Sequence, residues 1–252
     1  MFLAPWASAD SFTFSVVPQQ NAIKTAQVWA PVMDYLAQVT GHDFKLRTAK
    51  DIPAFQDGLA EGIYDFAYMN PYHYTTYSES AGYLPLVHRA GNGIRGVVVI
   101  KKGSPIRSLM DLDGRVLGFP APAAFAATLI NRAEIKAAGA TVTSKYTSSH
   151  DSVYRAVAVG LLDAGGGIGR TLKAADPKVR DQLEVLHTTQ EYTPHAVAVL
   201  PSVDASLRRQ VQQALVDMQD PALLDRLKIS GWQAAVDSDW DDVRALNLQA
   251  IQ

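Results

Sequence analysis

The chain contains no cysteine. Disulfides, thiolate nucleophiles and thiolate metal sites are therefore excluded. Charge of either sign is not in excess: 23 basic residues face 25 acidic ones, for a formal net charge of −2. No bulk attraction to nucleic acid or to an anionic membrane follows, so any preference for an anion must come from a local site. No run reaches the ~18 apolar residues of a membrane span. The sequence has no G-x-S-x-G elbow, P-loop or H-E-x-x-H, and no metal-ligating constellation. Gly165-Gly166-Gly167-Ile168-Gly169 is rich in glycine but lacks dinucleotide-fold spacing with an acidic partner, and is read as a place where two loops approach. Catalytic residues, metal and cofactor are accordingly all expected to be none, and the protein is not expected to be an enzyme.

What is present is apolar: 48% of 252 residues, enough for one substantial core or two smaller lobes. Phe2 to Asp10 reads as the end of a secretory signal, with Ala7-Ser8-Ala9 as an A-x-A cleavage site. Residues 1–10 are therefore expected to be a signal remnant behind an added Met1, and the mature protein to be periplasmic. A chance alanine-rich start is the competing reading.

Thr13 to Val17 has strand character and leaves through Pro18-Gln19-Gln20-Asn21. A helical stripe of Val28, Val32, Leu36 and Val39 follows, ending at Gly41. Phe44 to Thr48 is a strand, Ile52, Phe55 and Leu59 mark a helix stopped at Gly62, and Asp65 to Tyr68 is a buried strand. Asn70-Pro71 opens a helix with proline in a permitted first-turn position. Tyr83 to His88 closes this β-α-β series. Gly96 to Lys102 is a β-branched strand, after which the pattern restarts with strand Val116 to Phe119, helix Ala123 to Ala138 and strand Val142 to Tyr146. Helix His150 to Val159 and strands Asp163 to Ile168 and Leu183 to His187 follow. Ala196 to Leu200 is the last expected strand. Helices then run through Leu207, Val211, Leu215 and Met218, from Pro221, and from Asp239. The alternation argues for mostly parallel sheets flanked by helices. Leu59 to Ala67 also resembles Val157 to Gly165: a helix end, a glycine suited to the left-handed region, two apolar residues, an aspartate and a strand. One β-α-β plan used twice suggests two similar lobes.

Thr147-Ser148-Ser149-His150-Asp151-Ser152 lies between a strand and a helix. Backbone N–H groups at a helix start lack intrahelical partners and carry the positive end of the dipole, which suits a small anion. Ser and Asp are also ordinary helix caps, which needs no ligand. Asn70 and Tyr72 follow a buried strand, where ligands gather at the edge of an open α/β sheet, and Gln19 lies in the first strand-exit loop. Tyr74 is equally suited to packing, and His195, before an apolar strand, to the core.

Four blocks together resemble the phosphate/phosphite/phosphonate substrate-binding proteins of bacterial ABC transporters, from about Phe14 to Met218. They are Tyr64-Asp65-Phe66-Ala67-Tyr68-Met69-Asn70-Pro71-Tyr72-His73-Tyr74; Ser108 to Arg115; Ser149-His150-Asp151 with Arg155 to Gly165; and Thr193-Pro194-His195-Ala196-Val197-Ala198-Val199. The resemblance implies a two-lobed type II periplasmic-binding fold. Residues 11–92 and 190–252 would form lobe one and 93–189 lobe two, with late helices packed back on the first lobe. An oxyanion or phosphonate-like ligand would be held between the lobes and passed to an ABC permease. Ser149 and His150 match a ligand-contacting pair, and Tyr74 or Tyr72 a lobe-one aromatic. His195 stands where the family often has an aspartate that accepts protons from the ligand. Ala123 and Ala124 stand where it has a Ser-Thr-Ser type run, so every hydroxyl is gone and a hydrated-like tetrahedral phosphate fits poorly. The partners implied are a small anionic ligand and either a permease or, in the alternative reading, a two-component sensor kinase; no nucleic acid is implied, and a monomer is expected. A third class, an enzyme of this fold with His150 as base, is separated by turnover.

Overall fold

The computed structural model describes residues 10–20 and 22–248. The expected signal remnant, up to residue 9, and Asn21 of the first exit loop lie outside the described residues. The chain divides into two compact units. The first runs to Gly91 and resumes from Pro194 to Asp239; the second is Asn92 to Thr193 plus the chain from Trp240.

In the first unit the chain forms β1 (Ser11–Val16), α1 (Ala22–Thr40), β2 (Asp43–Thr48), α2 (Ile52–Ala60), β3 (Phe66–Met69), α3 (Pro71–Ser80) and β4 (Leu84–Arg89). The second holds β5 (Val97–Lys101), β6 (Val116–Phe119), a π-helical turn (Phe125–Leu129) running into α4 (Ile130–Ala137), β7 (Thr143–Tyr146) and α5 (His150–Ala158). It continues with β8 (Ala164–Gly167), α6 (Gly169–Ala174), α7 (Pro177–Arg180) and β9 (Leu183–Thr188). Back in the first unit come β10 (Ala196–Val199), α8 (Ala205–Val216), α9 (Pro221–Leu227) and β11 (Trp232–Ala234); α10 (Asp241–Arg244) belongs to the second. No helix among the described residues is long and apolar enough to cross a membrane.

The first sheet has the order β11-β4-β10-β3-β1-β2 and the second β7-β6-β8-β5-β9. In the first, β1 to β4 run one way, and β10 and β11 against them. In the second only β5 runs against the rest. Each sheet is thus mixed: most strands share one direction, with β10 and β11 reversed in the first and β5 in the second. The first core stacks Phe14 on Phe66, with Trp29, Val32, Met33 and Leu36 of α1 laid over them. Val39, placed by its spacing on that same face, is 54% exposed because the helix has run past the sheet. The second unit has a core on each sheet face, one under α5 and one around Phe119 and Ile135 of α4.

The sequence repeat has one structural job in both units. Gly62 and Gly160 follow α2 and α5 in the left-handed region, with φ of +65° and +78°, where a side chain would be strained. The aspartate three residues on then accepts from the strand beside it. Asp65 takes the Thr13 N–H at 2.7 Å and its hydroxyl at 2.8 Å, and Asp163 takes the Val116 N–H at 3.1 Å.

Three expectations are corrected. The helix expected from Ala123 begins at Phe125, with a π turn, because the buried Asn131 amide draws off backbone carbonyls. Its Nδ2 donates to Ala126 and Ala127 O, both at 3.0 Å, and to Val97 O at 3.2 Å. The glycine run admits helices to both faces of β8, not loops. A Cβ at Gly166 would meet Ala127 O at 2.0 Å, and one at Gly165 would meet Val153 Cγ1 at 2.4 Å. Third, the late chain contains a strand: β11 pairs with β4, and at three residues it is too short to show alternation. The segment after Trp240 belongs to the second unit, where Asp242 accepts the Thr193 N–H at 2.7 Å. Residues 190–193 also belong there, tied by the Ile94–Tyr192 bridge and an Arg95–Glu191 ion pair at 2.8 Å.

Candidate ligand-binding site

In the first unit, β10 runs against β3 with Ala196 opposite Met69, so it begins where β3 ends. That register gathers the loops after β1 and β3 and the residue before β10 at one sheet edge. His195, 6% exposed, stacks on Tyr68 with centroids 5.1 Å apart. Its Nε2 lies 3.0 Å from Gln19 Nε2. An amide nitrogen only donates, so this imidazole nitrogen accepts and the neutral ring carries its proton on Nδ1. A family-type carboxylate here would bring a negative charge; the Gln19–His195 pair brings none. Tyr72 is buried except for 6% of its surface, and its hydroxyl has no hydrogen-bond partner among the described residues.

Two other expected contacts of this unit are engaged within the fold. Asn70 caps α3, its Oδ1 accepting the His73 N–H at 2.8 Å. Tyr74 is fully buried and donates its hydroxyl to Asp237 at 2.5 Å.

In the second unit β6, β7 and β8 run the same way, and the chain enters helix after each. The Thr147 N–H donates to Phe119 O at 2.9 Å, holding the exits of β6 and β7 side by side. Ala123 and Ala124 precede the π turn; Ala124 occupies the cap position with no side-chain bond. With no hydroxyl at Ala123 or Ala124, these two positions can offer an anion backbone N–H groups but no side-chain donor. Ser148 adopts φ +66°, uncommon for a residue other than glycine. It sets up Ser149 as the cap of α5, whose Oγ accepts the Ser152 N–H at 3.1 Å and shares a bond with Ser152 Oγ at 2.8 Å. Ser149 thus serves the helix through its side chain.

His150 follows at the first helical position. Its Nδ1 lies 3.2 Å from Thr171 Oγ1, while Nε2 has no partner among the described residues. Burial pushes its pKa down to about 4; Asp151 opposes that shift and Arg170 adds to it. The imidazole is therefore neutral across physiological pH. Sequence reasoning missed Thr171, whose hydroxyl meets this ring, and Tyr154, whose hydroxyl meets Thr171. Thr171 is 21 residues away on another helix, and no spacing rule links the two. His187 stands apart, with Nε2 2.5 Å from Glu134 Oε2.

The chain matches the sequence profile of the family described as ABC transporter, phosphonate, periplasmic substrate-binding protein, over residues 14–240. Among solved structures it is similar to PhnD1 from Prochlorococcus marinus in complex with methylphosphonate, at 14% identity and a TM-score of 0.84, covering 94% of this chain and 97% of that one. A binding protein component of an ABC phosphonate transporter from Pseudomonas aeruginosa gives 16% identity and 0.80, over 95% and 86%. A Xanthomonas citri protein bound to ATP gives 16% and 0.80, over 94% and 96%. At these identities the structures speak for the fold.

Proposed function

Because this chain belongs to the periplasmic substrate-binding proteins of phosphonate ABC transporters, whose members bind a small molecule for a permease, we propose that its own ligand is a small phosphonate or related oxyanion. Residues at the strand exits of the second unit would contact it. The observation that carries this reading is the second unit's edge. There, the unpartnered Nε2 of a neutral histidine at the start of α5 offers a donor, with the Arg170 guanidinium near enough to act on that ring. The helix-start dipole and the Arg170 guanidinium favour an anion, and the missing hydroxyls at Ala123 and Ala124 leave fewer donors for a fully ionised phosphate. At the first unit's own edge, the Tyr72 hydroxyl and the Gln19–His195 pair would offer polar contacts without the negative charge of a carboxylate. The protein would act as a monomer delivering to a permease; no feature favours a sensor kinase as recipient.

The test is thermal unfolding at fixed ionic strength with methylphosphonate, phosphite and phosphate. Methylphosphonate or phosphite should raise the midpoint in a saturable way, and phosphate less, because only species bound to the folded state stabilise it. No rise with any of the three would overturn the ligand class.

Restoring hydroxyls is the complementary experiment. Ala123→Ser with Ala124→Thr should raise phosphate affinity about tenfold by calorimetry, since a hydrogen bond to a charged group contributes about 1.5 kcal/mol. An unchanged affinity would mean that the start of the π turn does not face the ligand.

A further inference from the structure

We propose that Tyr154 and Thr171 are positioning residues that fix the tautomer of His150 with its proton on Nε2, so that a neutral ring presents a donor to the ligand. The inference rests on His150 as a ligand contact and concerns how that contact is given its direction. Four groups lie in line. The Ile168 N–H donates to Tyr154 Oη at 3.3 Å. Tyr154 Oη lies 2.7 Å from Thr171 Oγ1, and Thr171 Oγ1 lies 3.2 Å from His150 Nδ1.

The proton count gives the chain its sense. Tyr154 accepts from Ile168 N, so its own proton is free to go to Thr171, the shorter of its two options; Ile168 O lies 3.3 Å away. Thr171 has one proton and two places to send it: Ile168 O at 3.0 Å and His150 Nδ1 at 3.2 Å. The carbonyl already accepts the Leu172 N–H at 3.1 Å, whereas Nδ1 has no other partner. Sending the proton to Nδ1 satisfies every group, and each hydroxyl then donates once and accepts once, an arrangement in which neighbouring bonds polarise one another. A neutral imidazole that accepts at Nδ1 carries its hydrogen on Nε2. The reverse tautomer would turn a lone pair toward an oxyanion and repel it.

The elements are placed for this role. Tyr154 lies one turn after His150 on α5, fully buried against Gly167, where a Cβ would meet its hydroxyl at 2.2 Å. Glycine at the end of β8 therefore leaves room for the phenol that starts the relay. Thr171 comes from α6, so the ring of one helix is oriented by the next.

The experiment uses the full chain with imidazole nitrogen NMR and methylphosphonate calorimetry at one pH between 6 and 8. Without ligand, His150 in the wild type should show a protonated Nε2 and a bare Nδ1; the opposite assignment would overturn the relay. Thr171→Val keeps the shape and removes the hydroxyl. It should shift the tautomer toward Nδ1–H and weaken methylphosphonate binding about five- to tenfold, the effect of one hydrogen bond, with Thr171→Ser restoring both. Tyr154→Phe should give a smaller loss of the same kind. A tautomer and affinity indifferent to Thr171→Val would also overturn it. If His150→Ala left affinity unchanged, the ligand role of His150 would fail, while the tautomer measurement would still decide the relay.

Discussion

Between pH 6.5 and about 3 the protein should lose about 4–5 kcal/mol of folding stability through one histidine. His73 is fully buried among Phe55, Tyr72 and Tyr77, with ring centroids 5.6 to 6.4 Å away, and neither ring nitrogen has a hydrogen-bond partner. Burial lowers its pKa from 6.5 to about 3. The folded state thus binds fewer protons than the unfolded one throughout that interval. The contribution is fully present above pH 6.5 and lost as pH falls toward 3, at about 1.36 kcal/mol per unit. Near pH 4.5 this alone removes roughly 2–3 kcal/mol, a large share of the 5–15 kcal/mol typical of a folded domain. His150, pushed down to about 4, works in the same sense over a narrower range.

His73→Phe isolates the effect. Phenylalanine keeps an aromatic ring against its neighbours and removes two unpaired polar atoms, whose burial is itself unfavourable. Urea unfolding should show the variant as stable as the wild type or more so at pH 7.5, with a gap widening by roughly 2–3 kcal/mol by pH 4.5. His73→Leu, which is smaller, guards against overpacking and should show the same pH trend from a lower start. Parallel loss of stability in wild type and both variants would refute the assignment to His73.

Replacing His150 with Ala should weaken methylphosphonate binding about ten- to a hundredfold, the loss of about 1.5–3 kcal/mol when a donor to a charged group is removed. Folding should suffer much less, since Nε2 bonds to no described residue and Ser149 caps the helix through its own oxygen. The pH dependence is the sharper test. With a pKa of about 4 the ring does not titrate between pH 6 and 8. Affinity for a ligand that does not titrate there should therefore stay flat, where a cationic imidazole would lose affinity as pH rises. His187→Ala is the control: that ring pairs with Glu134, and its loss should affect stability while leaving affinity in place. Equal, small losses of affinity in both variants would remove His150 from the site.

Local signals in the sequence determined most of the architecture. Strand and helix order, the caps at Asn70 and Ser149, and the twice-used glycine-to-aspartate plan depend on neighbours within a few residues, where backbone sterics and capping act. The same short range located the strand exits: the loop that holds Gln19 and the helix starts that hold Tyr72 and His150. Only the tertiary structure decided what each side chain meets. Tyr74 and Tyr72 are two residues apart on α3, yet one hydroxyl is taken by Asp237, far along the chain, and the other bonds to no described residue. His150 is neutral because packing removes water from it, and His73 shifts further because nothing replaces that water. Asn131 reshapes a helix by reaching Val97 on another strand. Desolvation and long-range hydrogen bonding depend on which distant groups fill the space around an atom, and no periodicity along the chain encodes that.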